Sequence, residues 1–171
     1  EGLQTILDAT KHLEVLTALG MPVRCQWDNK LYNCAVVIQK GEILGLVPKS
    51  YIPNYGEFYE ARWFASGAGV DFSFELCGQA VSLSTRGLFA CPEMPDLVVG
   101  VEICEDLWAP APPSVELAWK GATVILNLSA SNELVGKADY RRSLVTGQSA
   151  RLMCGYVYAD AGEGESTTDL V

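Results

Sequence analysis

The chain has 171 residues, 49% hydrophobic and 19% charged, a balance that fits one folded domain or part of one and excludes a disordered chain. Its net charge of -9, from 21 acidic against 12 basic side chains, gives no basic surface for tracking a phosphate backbone, so nucleic acid is excluded as a partner. No apolar run reaches the length of a membrane span, and Glu1-Gly2-Leu3-Gln4 shows neither a basic signal-peptide region nor an initiating Met; a cytoplasmic chain, trimmed and without a membrane partner, is expected.

Taken from the start, Leu3, Ile6, Leu7 and Thr10 recur at helical spacing and predict a helix reaching His12, followed by a strand over 15–19. Two strands, 31–38 and 43–47, flank Gln39-Lys40-Gly41-Glu42 and predict a hairpin that ends at Pro48-Lys49. The Pro- and Gly-bearing stretch 51–57 reads as a structured loop, of the kind that carries side chains to a site. Short strands are expected over 71–75, 79–84 and 87–90, with no linker or internal domain boundary. Beyond them, apolar runs at 97–103, 122–128 and 155–159 alternate with helical stretches at 114–120 and 138–152, which predicts parallel βαβ units with right-handed crossovers. Ser114, after Pro112-Pro113, is the expected helix cap, and Gly121 fits that helix's end.

Six cysteines, at 25, 34, 77, 91, 104 and 154, show no CxxC pair, so no metal site is expected and most should be buried hydrophobes. His12 is the single histidine and stands beside Lys11, which leaves little room for a Ser-His-Asp or Cys-His mechanism. The strongest chemical signal is Val98-Val99-Gly100-Val101-Glu102-Ile103-Cys104-Glu105-Asp106-Leu107-Trp108. A buried strand there runs into a Cys and a polar turn, presenting sulfur at the carboxyl end of a parallel strand, where open α/β sheets place their sites. Taken alone, such a Cys reads as core. The free N–H groups of the turn favour a thiolate, whereas Glu105 and Asp106 oppose it, so a cation and a base are needed. Lys49, at the end of an apolar strand, is the candidate cation; a solvated strand-end lysine is the alternative.

The segment Lys49-Ser50-Tyr51-Ile52-Pro53-Asn54-Tyr55-Gly56-Glu57-Phe58 resembles the lysine motif of the nitrilase superfamily, and the Cys104 segment resembles its nucleophile motif. More narrowly, 31–37, Phe58-Tyr59-Glu60-Ala61-Arg62-Trp63-Phe64 and Asn127-Leu128-Ser129-Ala130-Ser131-Asn132 are similar to the glutaminase domain of glutamine-dependent NAD synthetases. The resemblance implies an α/β fold, a nitrilase-like αββα sandwich incomplete at both ends, with residues 1–171 the central part of one carbon-nitrogen hydrolase domain. It also implies a Glu-Lys-Cys mechanism through a thioester. Cys104 matches the nucleophile, Lys49 the oxyanion-stabilising lysine and Glu57 the second glutamate, which positions the Lys or the substrate; a plain loop carboxylate is the alternative for Glu57. Tyr55, Glu105, Trp108, Ser131 and Lys137 fall where this group lines its substrate pocket. Glu105 would receive the glutamine α-ammonium and Lys137 its α-carboxylate. Ser131 would meet a polar substrate group or make a local turn bond, and Trp108 would form an apolar wall or pack in the core.

The resemblance further implies that the general-base glutamate lies upstream of the segment where this chain begins; Glu14 and Glu42, the nearest acids, have the wrong setting. The chain closes at Ser166-Thr167-Thr168-Asp169-Leu170-Val171, and no Ser-Gly-Gly-type pyrophosphatase loop is present. The expected parent therefore hydrolyses glutamine without a cofactor and passes ammonia to a synthetase domain that uses ATP and Mg2+. The chain alone is expected to be inactive and, with apolar surface uncovered, to form a homo-oligomer. A stand-alone amidase or nitrilase, and a catalytically silent oligomerisation or docking module, are the competing readings.

Overall fold

The computed structural model describes residues 1–162, so the closing segment singled out above lies outside the described residues. The chain forms two compact units, Glu1–Gly87 and a second from Leu88 on, each with its own sheet. No Gly-, Pro- or Ser-rich linker marks the junction, and the sequence reading, which saw no internal boundary, had no composition shift to find there.

In the first unit, helix α1 (Gly2–Thr10) turns Leu3 and Leu7 inward, four residues apart on one face. The helix stops before His12, which sits exposed in the following turn rather than in the helix. Strands β1 (Thr17–Arg24), β2 (Leu31–Gln39), β3 (Glu42–Pro48), β4 (Asp71–Leu76) and β5 (Gln79–Ser84) form one sheet in the order β1-β2-β3-β5-β4. β3 and β5 are parallel, and the other neighbours are antiparallel. The β2-β3 hairpin closes through Lys40 (φ 52°) and Gly41 (φ 78°), two positive-φ residues that match the twist of the strands. β1 starts later and runs farther than expected, straight through Pro22; the proline is tolerated because β1 is an edge strand. β2 lies inside the sheet and buries Cys34 through Ile38 without a break, which explains its unalternating apolar run. Val23, Cys25, Tyr32, Leu46, Phe74, Val81 and Leu83 complete this core with α1.

After β3 the chain makes a long excursion whose ends meet. The Lys49 N–H donates to the Asn33 carbonyl (2.8 Å), the Gly67 N–H to the Lys49 carbonyl (2.8 Å) and the Ala65 N–H to the Leu31 carbonyl (2.9 Å). A single 3-10 turn, Glu60–Arg62, lies in between. Gly67 is required here because a Cβ would fall 2.5 Å from Pro48 Cβ and 2.9 Å from the Lys49 carbonyl oxygen.

In the second unit, β6 (Leu88–Cys91) pairs antiparallel with β7 (Met94–Ile103), and β7, β8 (Val124–Leu128) and β9 (Gly155–Ala159) run parallel. Helices α2 (Glu105–Trp108) and α3 (Pro113–Trp119) connect β7 to β8, and α4 (Lys137–Leu152) connects β8 to β9, as the βαβ pattern predicts. Leu117, Ala122, Ile125 and Cys154 form the core. Gly100 lets α3 approach, since a Cβ there would lie 3.1 Å from Leu117 Cδ1 and Ile125 Cδ1. Gly121 (φ 105°) follows α3 as expected. Ser114 does not cap α3. It is a buried residue of the first turn, whose N–H donates to Glu102 Oε2 at 2.8 Å, so the cap comes from a strand twelve residues earlier.

Gly67→Ala is expected to destabilise the protein by about 1–3 kcal/mol, because the methyl meets a proline ring and backbone rather than a flexible side-chain end. A denaturant midpoint equal to that of the unsubstituted protein would contradict the packing. Burial pushes the Cys34 thiol up to about 12. Below that value it stays protonated and enclosed, so iodoacetamide at pH 8, followed by mass spectrometry, should modify half-buried Cys104 and leave Cys34 untouched until the protein is unfolded.

Candidate active site

The catalytic cation expected from the sequence occupies an unusual position in the first unit. Lys49, one residue past β3, is 1% exposed, and its Nζ lies 2.7 Å from Glu60 Oε1. An ammonium at that depth requires a carboxylate partner, since removal from water disfavours the charge and a close anion restores it. Glu60 is half-buried and opens the 3-10 turn. Its place is fixed by backbone bonds at both sides: its N–H donates to the Pro53 carbonyl (3.1 Å), and its carbonyl accepts from Trp63 and Phe64 (2.9 Å each). Asn33 Nδ2 approaches Glu60 Oε2 at 3.5 Å. Glu57 is expected from the sequence to position the Lys or the substrate; the carboxylate at 2.7 Å from Lys49 belongs to Glu60, three residues on. Nothing local in the sequence separates the two acids, because both sit in one polar loop and only the fold selects between them. Glu57 and Tyr55 are exposed in that loop, where the Tyr55 ring meets Phe58 edge-on at 6.0 Å.

In the second unit, Cys104 follows β7 directly and has φ 45°, ψ −102°, a conformation that L-residues rarely adopt. The polar turn expected after the strand is thus a sharp elbow at Cys104, and it is held from three sides. The Cys104 N–H donates to Asn127 Oδ1 (3.0 Å), the Ile103 N–H to Asp106 Oδ2 (3.0 Å), and the Cys104 carbonyl accepts from Leu107 N–H (3.1 Å). Cys104 is half-buried, Asp106 is buried, and Glu105 stands half-buried in the first turn of α2.

The parallel register pairs Ile103 with Leu128 and Leu128 with Ala159, so Cys104, Ser129 and Asp160 emerge together beyond the strand ends. Ser131 lies just past this edge, buried, with its N–H donating to Asp160 Oδ1 (2.9 Å). Lys137, at the start of α4, donates to Asn132 Oδ1 and places its Nζ 5.1 Å from the centre of the Trp108 ring, which stacks on Tyr140 at 5.6 Å. Trp108 and Lys137 thus meet, while Tyr55, Glu57 and Lys49 belong to the other unit.

Four residues of this architecture went unassigned in the sequence. Arg141 on α4 donates to Glu133 Oε2 (2.9 Å) and forms an ion pair with Asp160 Oδ2 (3.4 Å), linking the post-β8 loop to the end of β9. Glu102 and Asn127 are fully buried in β7 and β8 and are joined through the Tyr156 hydroxyl. The available signal was a carboxylate and an amide interrupting otherwise apolar strand runs, which a folded protein tolerates only when both are hydrogen-bonded. Burial raises the Glu102 pKa above the ordinary carboxylate value, and hydrogen bonds from Tyr156, Ser114 and Asn127 oppose the rise.

The family model described as "Carbon-nitrogen hydrolase" matches residues 1–159. The chain is 48% identical over 168 residues to the "Glutamine-dependent NAD(+) synthetase" of Mycobacterium tuberculosis (strain ATCC 25618 / H37Rv), covering 98% of this chain and 24% of that protein. Among solved structures it resembles a glutamine-dependent NAD(+) synthetase from Cytophaga hutchinsonii, with TM-score 0.75, 30% identity, and coverage of 91% of this chain and 24% of the other. A CN-hydrolase superfamily protein from Xanthomonas campestris shares the fold at TM-score 0.62 and 14% identity, over 99% of this chain and 56% of its own. The chain spans about a quarter of the length of the synthetases it matches. With a family model matched from residue 1 to 159 and a strained cysteine at the end of a parallel strand, the chain belongs to the carbon-nitrogen hydrolase family.

Proposed function

We propose that this chain carries the glutamine-hydrolysing chemistry of a glutamine-dependent NAD synthetase. The observation that carries the reading is the 48% identity, over nearly the whole chain, to a protein of that name. The elbow at Cys104 and the buried ion pair at Lys49 support it, because amide hydrolysis through a thiol needs a presented sulfur and a fixed positive charge for the oxyanion.

In this reading, Cys104 Sγ attacks the glutamine side-chain amide carbon as the thiol proton passes to a base. The tetrahedral intermediate's oxyanion is met by Lys49. Collapse breaks the C–N bond, the departing nitrogen takes a proton, and ammonia leaves behind a γ-glutamyl thioester. Water, deprotonated by the same base, attacks the thioester carbon, and the sulfur departs as glutamate is released. The base is assigned to neither Glu14, which is exposed and paired with Lys40 at 2.9 Å, nor Glu42, which stands in the hairpin.

The lysine-positioning glutamate is Glu60. A carboxylate at 2.7 Å fixes the direction of the amine, which is what a preorganised oxyanion site requires. Glu57 and Tyr55 contribute to the substrate side of the same loop. Glu105, Lys137, Trp108 and Ser131 bind the amino-acid end of glutamine, Glu105 taking the ammonium and Lys137 the carboxylate. Lys137 supplies a point charge rather than a bidentate fork, and its contact with the Trp108 ring holds the amine over an apolar wall.

ATP and Mg2+ belong, in this proposal, to a synthetase part that receives the ammonia. Among the described residues no group of three or more His, Cys, Asp or Glu side chains is placed to hold a metal ion. No described helix is long and apolar enough to cross a membrane, and a cytoplasmic setting completes the reading.

Two measurements on the full-length protein test it. Cys104→Ala should abolish glutamine hydrolysis and glutamine-dependent NAD formation while leaving NAD formation from added ammonia intact. Loss of both, or of neither, would overturn the assignment. Glu60→Gln, which retains shape but removes the charge facing Lys49, should lower kcat roughly ten- to a hundredfold, whereas Glu57→Gln should stay within about threefold of the unsubstituted enzyme. The opposite ranking would return the lysine-positioning role to Glu57.

A further inference from the structure

A chain of hydrogen bonds runs through the second unit from the start of α3 to the elbow. The Ser114 N–H donates to Glu102 Oε2 (2.8 Å), and the Tyr156 hydroxyl donates to Glu102 Oε1. Asn127 Nδ2 donates to the Tyr156 oxygen (3.1 Å), and Asn127 Oδ1 accepts the Cys104 N–H (3.0 Å) and the Ser129 hydroxyl (2.7 Å). Glu102 and Asn127 are register partners on neighbouring parallel strands, both 0% exposed, and Tyr156 between them is half-buried.

Both ends of this chain are backbone N–H groups, which can only donate. An amide or a hydroxyl in the middle transmits polarity: it accepts on one side and donates on the other. Two donors facing inward along one chain therefore conflict unless some member accepts on both sides. Among Glu102, Tyr156 and Asn127, only the carboxylate does so. Glu102 takes the Ser114 N–H with one oxygen and the Tyr156 proton with the other, and this leaves the Tyr156 oxygen open to Asn127 Nδ2. The amide of Asn127 is thereby turned so that its oxygen, not its nitrogen, faces the Cys104 N–H.

We propose that Glu102 is a positioning residue for the nucleophile: as the one two-sided acceptor of a buried chain, it sets the polarity that makes Asn127 hold the strained elbow of Cys104. The effect on turnover rests on the reading of Cys104 as the glutaminase nucleophile. With glutamine at 102, the Ser114 N–H still requires the amide oxygen, so the amide nitrogen must face Tyr156. The tyrosine proton then points at Asn127, and an Asn127 turned to accept it presents NH2 to the Cys104 N–H.

The test is a substitution cycle in the full-length protein. Glu102→Gln should lower kcat for glutamine roughly ten- to a hundredfold with KM held within about twofold. Asn127→Asp alone should also lower kcat, since it sets a carboxylate oxygen against a Tyr156 oxygen whose proton is committed to Glu102. Together, the two should give an enzyme at least about threefold faster than Glu102→Gln alone, because the two-sided acceptor has moved from 102 to 127. A purely structural role for Glu102 predicts accumulated losses instead. Unchanged kcat in Glu102→Gln, or a double variant no faster than Glu102→Gln, overturns the proposal.

Should Glu102→Gln fail to fold by circular dichroism, Tyr156→Phe takes its place in the cycle. Without the phenol oxygen, Asn127→Asp should reduce kcat by a smaller factor than it does with Tyr156 present, and an equal or larger factor overturns the idea. The alkylation rate of Cys104 by iodoacetamide reads the same variants without glutamine. It should depart from the unsubstituted rate in Glu102→Gln and return toward it in the double variant; a double variant that departs as far or farther overturns the proposal. An unsubstituted protein that does not hydrolyse glutamine overturns the function proposed above and leaves this alkylation pattern to decide the role of Glu102.

Discussion

A residue at φ 45°, ψ −102° cannot keep itself there, and the second unit is built around that constraint at Cys104. The strain is local, but what opposes it is not. Asn127 reaches across from β8, Asp106 folds back from α2, and Asn127 is in turn fixed by Tyr156 of β9. Three parallel strands therefore contribute to the orientation of one sulfur. Their register matters for this reason: the pairing of Glu102 with Asn127 puts the side chains within reach of one another and of the Cys104 amide just past the end of β7.

The first unit solves the complementary problem of keeping a charge where water is scarce. Lys49 ends an apolar strand at the point where the chain leaves the sheet, and the long loop that follows returns both a carboxylate and its own backbone to the same place. Gly67 closes the loop onto the Lys49 carbonyl with no room for a side chain, while Glu60 closes it onto the amine. Backbone and side chain of one residue are thus gripped by two parts of a single excursion. An exposed ion pair of the same length would be worth little, but one with a nearly inaccessible ammonium fixes direction as well as charge.

Much of this was legible in the sequence, and the limit has a physical cause. Period and punctuation located the β2-β3 hairpin, the βαβ alternation and the cysteine at a strand end, because each depends on residues close together in the chain. Ser114 was misread for the same reason. A serine after two prolines is a good local cap, yet the oxygen that satisfies that helix start comes from Glu102 in the strand before it. Glu60 and Glu57 illustrate the point again. Two acids three residues apart in one polar loop are equivalent by composition, and it is the 3-10 turn, anchored to Pro53, that sets Glu60 against the amine. The apolar run 15–19 marks only the start of β1, which continues through Pro22 because an edge position, a property of the whole sheet, tolerates a proline.

The cost of Glu102 bears on why it is present. Burial holds its pKa above that of an exposed glutamate, even against the hydrogen bonds that favour the ionised form. A carboxyl whose folded-state pKa is raised contributes most to stability below its unfolded pKa, and that contribution is lost as pH rises through the folded value. Burial thus works against the charged form, and an uncharged side chain of the same shape would relieve that cost. Yet an amide there cannot accept from both Ser114 and Tyr156, and the elbow depends on the direction in which those protons point. A buried carboxyl held by oriented donors at both oxygens is placed for geometry, and the geometry it serves is that of the sulfur two residues away.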